Sequence, residues 1–250
     1  TVLAARAPAF AAEWARAVPL TLGLCERVMA NCFVNQSYDP SRNGTCPTKI
    51  FEFHDLGFER ENLLRGFPVD YRYMIRWKAG LMWEMPELSS YEYVWMLDTD
   101  AFILGPISYD PFAVMAAANA TYGYIDVNVE TPEVADGLSE CINTFLKQAK
   151  PKLTPTMLSN FTSGYGARAR WDGSKFYTNF QVARRSFGSS AGFTKLFEHI
   201  DHDGGIYRHR WGADPILFLG VTIFLQPEAV VHFDDVPYMH QHLVSNLPEE

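Results

Sequence analysis

The chain has 250 residues, 48% of them hydrophobic and 20% charged, with a formal net charge of −8. That length carries a sizeable core in one globular domain, and the acidic balance excludes a nucleic-acid partner, since phosphate backbones demand a basic surface. No apolar run reaches the roughly 18 residues of a membrane span.

Segment 1–24 opens on the apolar Val2-Leu3 and continues as an alanine-rich helix; with Pro8 and Glu13 it lacks the pattern of a secretory leader. A start on Thr1 leaves room for an anchor upstream. Residues 35–48 form a turn-rich loop, and Lys49 to Phe53 a short strand. Tyr71 to Met85 reads as an amphipathic helix stopped by Pro86. Val94 to Leu97 is apolar without a helical stripe, a buried strand that ends on Asp98-Thr99-Asp100. Tyr109-Asp110-Pro111-Phe112 turns into a helix that runs through Ala118. A strand is expected over Tyr122 to Val127, a helix over 131–148, a loop over 150–175, and a strand over Phe176 to Val182. Helices follow at Ala191 to Ile200 and Pro215 to Leu225, with Asp214-Pro215 as cap and first helical residue. Val230 to Phe233 is the last strand, before a tail that frays after Leu243. Strands alternating with helices, with no repeat or linker, predict a mixed α/β fold in a single domain over 1–250.

Cys25, Cys32, Cys46 and Cys141 lack the paired spacing of a zinc site. An even cysteine count, with glycosylation sequons at Asn35, Asn43, Asn119 and Asn160, points to disulfides and the secretory lumen.

Four constellations carry chemistry. Asp98 and Asp100 close a buried strand, where carboxylates are costly unless paired or metal-bound; the alternative is a pair of turn-forming caps. The tail Val231 to His242 holds three of the seven histidines and two aspartates, and imidazole mixed with carboxylate favours Mn²⁺. It reads equally as a solvated tail. Gly204 to Pro215 offers Arg210 for a diphosphate, Trp211 for stacking and Asp214 for sugar hydroxyls. Asn179 and Gln181 are amides in a strand, satisfied structurally or aimed at a polar ligand.

In order along the chain, these pieces resemble the fungal Golgi α-1,2-mannosyltransferases of glycosyltransferase family 15, of which the chain looks like a divergent member. Tyr71-x-x-Met74-x-Arg76-Trp77 with Gly80 is similar to the family's Tyr-x-x-Met-x-Arg-Phe-x-x-Gly. Asp98-Thr99-Asp100 stands where the family has Glu-Pro-Asp, and Tyr109-Asp110-Pro111-Phe112 where it has Tyr-Asp-Pro-Phe. Asn179-Phe180-Gln181-Val182 resembles Asn-Phe-Glu-Ile, Gly204-Gly205 with Arg210-Trp211-Gly212 the Gly-Gly…Arg-Trp-Gly run, and Tyr238-x-His240 the Gly-Tyr-His-His tail. The match covers about 70–242; residues 1–48 align poorly.

The resemblance implies a GT-A (Rossmann-like) fold with a mixed central sheet, and metal-dependent, retaining transfer of mannose from GDP-mannose to a glycan or glycoprotein acceptor in the Golgi lumen. It implies Mn²⁺, or Mg²⁺, on Asp98 and His240. Tyr71, Arg76, Asp98, Asp100, Arg210 and Trp211 are the expected donor-binding residues, and Gln181, Asp214 and Asn179 the catalytic ones. The family's nucleophilic carboxylate is the amide Gln181 here, and an arginine two residues before the metal ligand is Met96. The acid of Trp-Gly-Asp-Ala-Pro is shifted by one, to Asp214, and the cysteine after the metal motif is Gly105. An amide cannot form a glycosyl ester, so front-face substitution is the expected mechanism. The alternatives are a UDP-sugar donor and a carbohydrate-binding relative without catalysis.

Overall fold

The computed structural model describes residues 2–5, 69–149, 158, 161–163, 170–241 and 243–247. Its strands are β1 (Val2–Ala5), β2 (Tyr93–Leu97), β3 (Ala101–Ile103), β4 (Tyr122–Tyr124), β5 (Val127–Val129), β6 (Thr162–Ser163), β7 (Arg170–Trp171), β8 (Ser174–Phe176), β9 (Phe180–Arg184), β10 (Val230–His232), β11 (Tyr238–His240) and β12 (Leu243–Ser245). The central sheet has the order β1-β2-β9-β4-β10; β10 runs parallel to β4 and the other neighbours are antiparallel, so the sheet is mixed as expected.

The β2 run is apolar throughout because both its faces are buried. Tyr93 and Trp95 enter one core with Phe112, Phe180 and Phe233, while Val94 and Met96 enter a second, larger one. That larger core surrounds the helix Ala213–Phe224, which packs on β8 and on the helices Val69–Ala79 and Ala191–Asp203. Apolar residues cover this helix on every side, and Ile216 through Leu219 are wholly buried.

Several boundaries differ from the sequence expectation. The helix Val69–Ala79 stops at Gly80 and is followed by two short 3₁₀ turns, so Pro86 is not what ends it. A Cβ on Gly80 would lie 2.3 Å from the Phe197 ring, so tight helix packing requires the glycine there. The 131–148 helix splits into Pro132–Ala135 and Leu138–Ala149, with Gly137 between them at φ +78°. The strand expected over Tyr122 to Val127 is two strands, β4 and β5, in different sheets. Phe176 to Val182 likewise separates into β8 and β9, because the chain turns at Tyr177, whose carbonyl accepts from Phe180 N at 3.2 Å. Asp214 does not cap its helix: Gly212 holds that place and Asp214 lies in the first turn. The chain at Leu243–Ser245, expected to fray, is the strand β12, paired with β11. The opening Val2-Leu3 belongs to β1; the helix placed after it, the Lys49 to Phe53 strand, Cys25, Cys32, Cys46 and the sequons at Asn35, Asn43 and Asn160 lie outside the described residues.

Asn119 is exposed and takes a left-handed φ of 48°, with its side-chain oxygen accepting from Arg184 at 3.1 Å. Cys141 is a free, buried thiol, and burial first, then Asp203, push its pKa from 9.0 to about 12. Because the folded state holds the thiol neutral, its contribution to stability is whole below pH 9 and is lost as pH rises towards about 12. Mass spectrometry of the Cys141 peptide after iodoacetamide at pH 8 is expected to show at least about tenfold slower alkylation in native than in urea-unfolded protein. Equal rates would contradict the burial. Among the described residues no helix is long and apolar enough to cross a membrane.

Candidate functional site

The site forms where β2 ends. Asp98 N donates to the Asn179 carbonyl at 2.9 Å, tying the end of β2 to the residue that precedes β9. Ala101 N donates back to Asp98 O at 3.1 Å, so Asp98-Thr99-Asp100 is a closed turn that feeds directly into β3. β11 then pairs antiparallel with β3, setting Tyr238 opposite Ile103 and His240 opposite Ala101. This register delivers His240 to Asp100 across a separation of 140 residues, and His240 Nε2 lies 3.0 Å from Asp100 Oδ1. Ligand atoms of Asp98, Asp100 and His240 all come within 4.8 Å of one another.

Polar residues orient the imidazole from behind. His240 Nδ1 lies 2.7 Å from the Tyr177 hydroxyl and 3.0 Å from Asn179 Nδ2, while Asn179 Oδ1 accepts from the Tyr238 hydroxyl at 2.5 Å. Burial, followed by Asp98, raises the Tyr238 pKa, so this phenol stays a donor; burial also raises that of Tyr177. For Asp100, slight burial opposes ionisation, but its own backbone N–H, His240 and the Gln241 side chain outweigh it and hold the carboxyl below its ordinary value. With Asp100 ionised, the tautomer that satisfies both neighbours carries its proton on Nε2, which then donates to Asp100 while Nδ1 accepts from Asn179. Ligation of a metal by Nε2 requires the proton on Nδ1, where the Tyr177 oxygen can receive it. Two carboxylates and an imidazole suit Mn²⁺, with Asp98 and the exposed Asp100 open to solvent on one side; the donor set fits the ion. On the remaining side Lys78 Nζ lies 2.9 Å from Asp98 Oδ1.

A second cluster lies alongside. Asp214 accepts from the Thr178 hydroxyl, and Lys175 Nζ stands 3.8 Å from its Oδ2 and 3.2 Å from Glu130 Oε2. Tyr71 senses both clusters: burial raises its pKa, Arg210 lowers it, and Asp214, Glu130 and Asp98 raise it further. Tyr71 is therefore within electrostatic reach of Arg210, Asp214 and Asp98.

Gln181 lies beneath this surface, 1% exposed. Its Oε1 accepts from the Tyr122 hydroxyl at 2.5 Å and its Nε2 faces Met96 Sδ at 3.6 Å, so two of the four departures from the family pattern are cross-strand neighbours. A carboxylate at 181 would face a thioether instead of a cation, and the neutral amide matches that surrounding.

Two expected donor-binding residues are elsewhere. Arg76 is buried in a bidentate pair with Asp201, at 2.6 and 2.7 Å, which leaves its guanidinium fork committed to the core. Trp211 is 1% exposed, donates Nε1 to the Asp136 carbonyl at 2.7 Å and packs over Gly205, so its ring is not open to a ligand. His232 of the histidine-rich tail stacks on Tyr124 at 4.7 Å, apart from the cluster, and His242 lies outside the described residues. Sequence reasoning did not assign Lys78, Lys175, Glu130, Tyr177 or Tyr238. Tyr177 lies in the strand expected over Phe176 to Val182 and Tyr238 in the Tyr238-x-His240 motif, whereas Lys78 falls at an unspecified position of the helix motif, between Trp77 and Gly80.

The family model described as glycolipid 2-alpha-mannosyltransferase matches residues 57–249. The chain is 28% identical over 198 residues to the probable mannosyltransferase KTR3 of Saccharomyces cerevisiae, covering 79% of this chain and 49% of that one. It is 28% identical over 180 residues to glycolipid 2-alpha-mannosyltransferase 1 of Candida albicans, covering 72% and 42%. The chain thus spans about half the length of the curated relatives it matches. Among solved structures, core-mannan synthase A (CmsA/Ktr4) of Aspergillus fumigatus, in a Mn/GDP form, superposes with a TM-score of 0.67 at 23% identity, over 78% of this chain and 53% of that one. Ktr4p of S. cerevisiae in complex with GDP gives 0.66 at 23%, over 70% and 46%. The fold is theirs, the GT-A fold. With a model match that runs through the strand-end acids, the β11 histidine and the elements that join them, the chain belongs to the glycolipid 2-alpha-mannosyltransferase family, glycosyltransferase family 15.

Proposed function

We propose that this chain is the GT-A catalytic domain of a metal-dependent, retaining mannosyltransferase that uses GDP-mannose and a glycan acceptor in the Golgi lumen. The observation that carries this is the meeting of Asp98, Asp100 and His240 at the end of β2, in a family whose solved relatives include a Mn/GDP form. Asp98 and His240 would hold the metal, with Asp100 supporting His240. When bound, Mn²⁺ supplies Lewis-acid stabilisation of the leaving diphosphate.

The chain's own residues do the rest. Tyr177, Asn179 and Tyr238 keep the His240 ring in one orientation. Asp214, with Thr178 behind it, faces the sugar hydroxyls, and Tyr71 and Arg210 flank the donor. Gln181, held by Tyr122, offers no nucleophile, so the acceptor hydroxyl attacks from the face the diphosphate leaves and loses its proton to a phosphate oxygen. Retention then needs no covalent sugar on the protein.

The test is to assay the purified protein with Mn²⁺, a mannoside acceptor and either GDP-mannose or UDP-sugars, reading product linkage by NMR. An α-linked mannoside formed from GDP-mannose alone supports the reading. Transfer from a UDP-sugar moves the donor assignment, and GDP binding without transfer or donor hydrolysis leaves a carbohydrate-binding relative. Gln181→Ala is expected to lower the rate by about tenfold to a hundredfold with retention unchanged, since a dipole beneath the reacting centre is lost and the buried Tyr122 hydroxyl loses its acceptor, but no nucleophile is removed. Mass-spectrometric detection of a sugar adduct on any side chain during turnover would refute the front-face route.

A further inference from the structure

Lys78 is a cation that the transferase reading leaves without a role. It sits in the last turn of the helix Val69–Ala79, its side chain is 9% exposed, and its Nζ lies 2.9 Å from Asp98 Oδ1. An ammonium taken out of water at this depth requires an anion beside it. Among the described residues, the ion pair it makes is with Asp98. Asp98 is also one of the three groups that could hold the metal. The same carboxylate therefore faces two cations, and neither can bind it without repelling the other.

We propose, on the transferase reading above, that Lys78 is a resident cation of the donor site. It holds Asp98 in the metal-free protein, gives up that carboxylate as the metal binds, and turns its ammonium onto the diphosphate of the sugar nucleotide. The reason for the second contact is charge balance. Once the metal draws on Asp98, Lys78 needs a new anion, and the diphosphate is the anion that binds beside the metal. A lysine suits this exchange because its charge is compact and its four-carbon stem rotates freely, unlike the fixed fork of Arg76. Metal-free and donor-bound sites are then each balanced, whereas metal without nucleotide leaves Lys78 facing a divalent ion.

Isothermal titration of Mn²⁺ alone, and of GDP at saturating Mn²⁺, separates this role from a merely structural one. Lys78→Met is expected to bind Mn²⁺ alone about tenfold more tightly and GDP with Mn²⁺ about tenfold more weakly, the ordinary size of coupling between neighbouring sites. Loss of packing would weaken both, so opposite signs are the signature. Lys78→Gln carries the same expectation and stands in if the Met variant loses its melting transition. Unchanged or weaker Mn²⁺ binding, or unchanged GDP binding, overturns the proposal. Failure of the wild-type protein to bind GDP at all would instead overturn the transferase reading, and the Mn²⁺ titration would still decide the competition for Asp98.

Discussion

Asp98→Ala is expected to lower Mn²⁺-dependent mannose transfer by at least about a thousandfold, equivalent to about 4 kcal/mol of transition-state stabilisation. Asp98 is held at the end of β2 through its backbone N–H to Asn179, so its carboxylate is presented in a fixed place rather than on a mobile loop. Removing it takes one of the two proposed protein ligands and leaves Lys78 without the carboxylate it pairs with. The paired readouts are initial rates with GDP-mannose across a Mn²⁺ titration and the melting temperature of each variant. A rate that falls while the melting transition is kept marks a ligand. Near-normal turnover would refute the ligand role.

Asp201→Ala is expected to destabilise the protein by about 3–5 kcal/mol, lowering the thermal midpoint by about 10 °C or more. The substitution leaves the buried Arg76 guanidinium without the carboxylate it grips at 2.6 and 2.7 Å, so its charge stays out of water with its counter-ion removed. Replacing both partners, Arg76→Met with Asp201→Leu, should restore most of the loss, because the desolvation penalty disappears with the pair. Differential scanning calorimetry of the single and double variants measures this. The double variant also settles the role of Arg76: unchanged GDP affinity marks a core residue, and a large loss would return it to the donor site.

Both predictions turn on residues that the sequence brought forward and whose roles it read unequally. β2 was legible because an apolar run buried on both faces has no helical alternative at that length. The turn at Tyr109 to Phe112 into the helix Pro111–Ala117 was legible because its start is local: Pro111 is the first helical residue and the Asp110 side chain accepts from Phe112 N. The helix Ala213–Phe224 was found within two residues at its start and one at its end, again from an unbroken apolar stretch. The splits at Gly137 and at Tyr177 were missed because they rest on backbone turns that hydrophobic periodicity does not report.

At the site, Asp98, Asp100, Asn179 and His240 were named in advance and lie together. Arg76 was assigned to the donor through its motif and Trp211 on the chemistry of its ring. A guanidinium and an indole serve a core as well as a ligand, and only the positions of Asp201, Asp136 and Gly205 distinguish the two uses.

By itself, then, the sequence determined that carboxylates close a buried strand, that a histidine-rich segment lies near the far end, and that the motifs between follow a family order. Apolar runs and motif spacing are local properties, readable without a neighbour. The tertiary structure decided which of these groups meet. Antiparallel pairing of β3 with β11 in one register places His240 opposite Ala101, and a slip of one residue would turn the imidazole to the other face. The same holds for Lys78, ordinary in the helix and decisive only because that helix lies beside the end of β2.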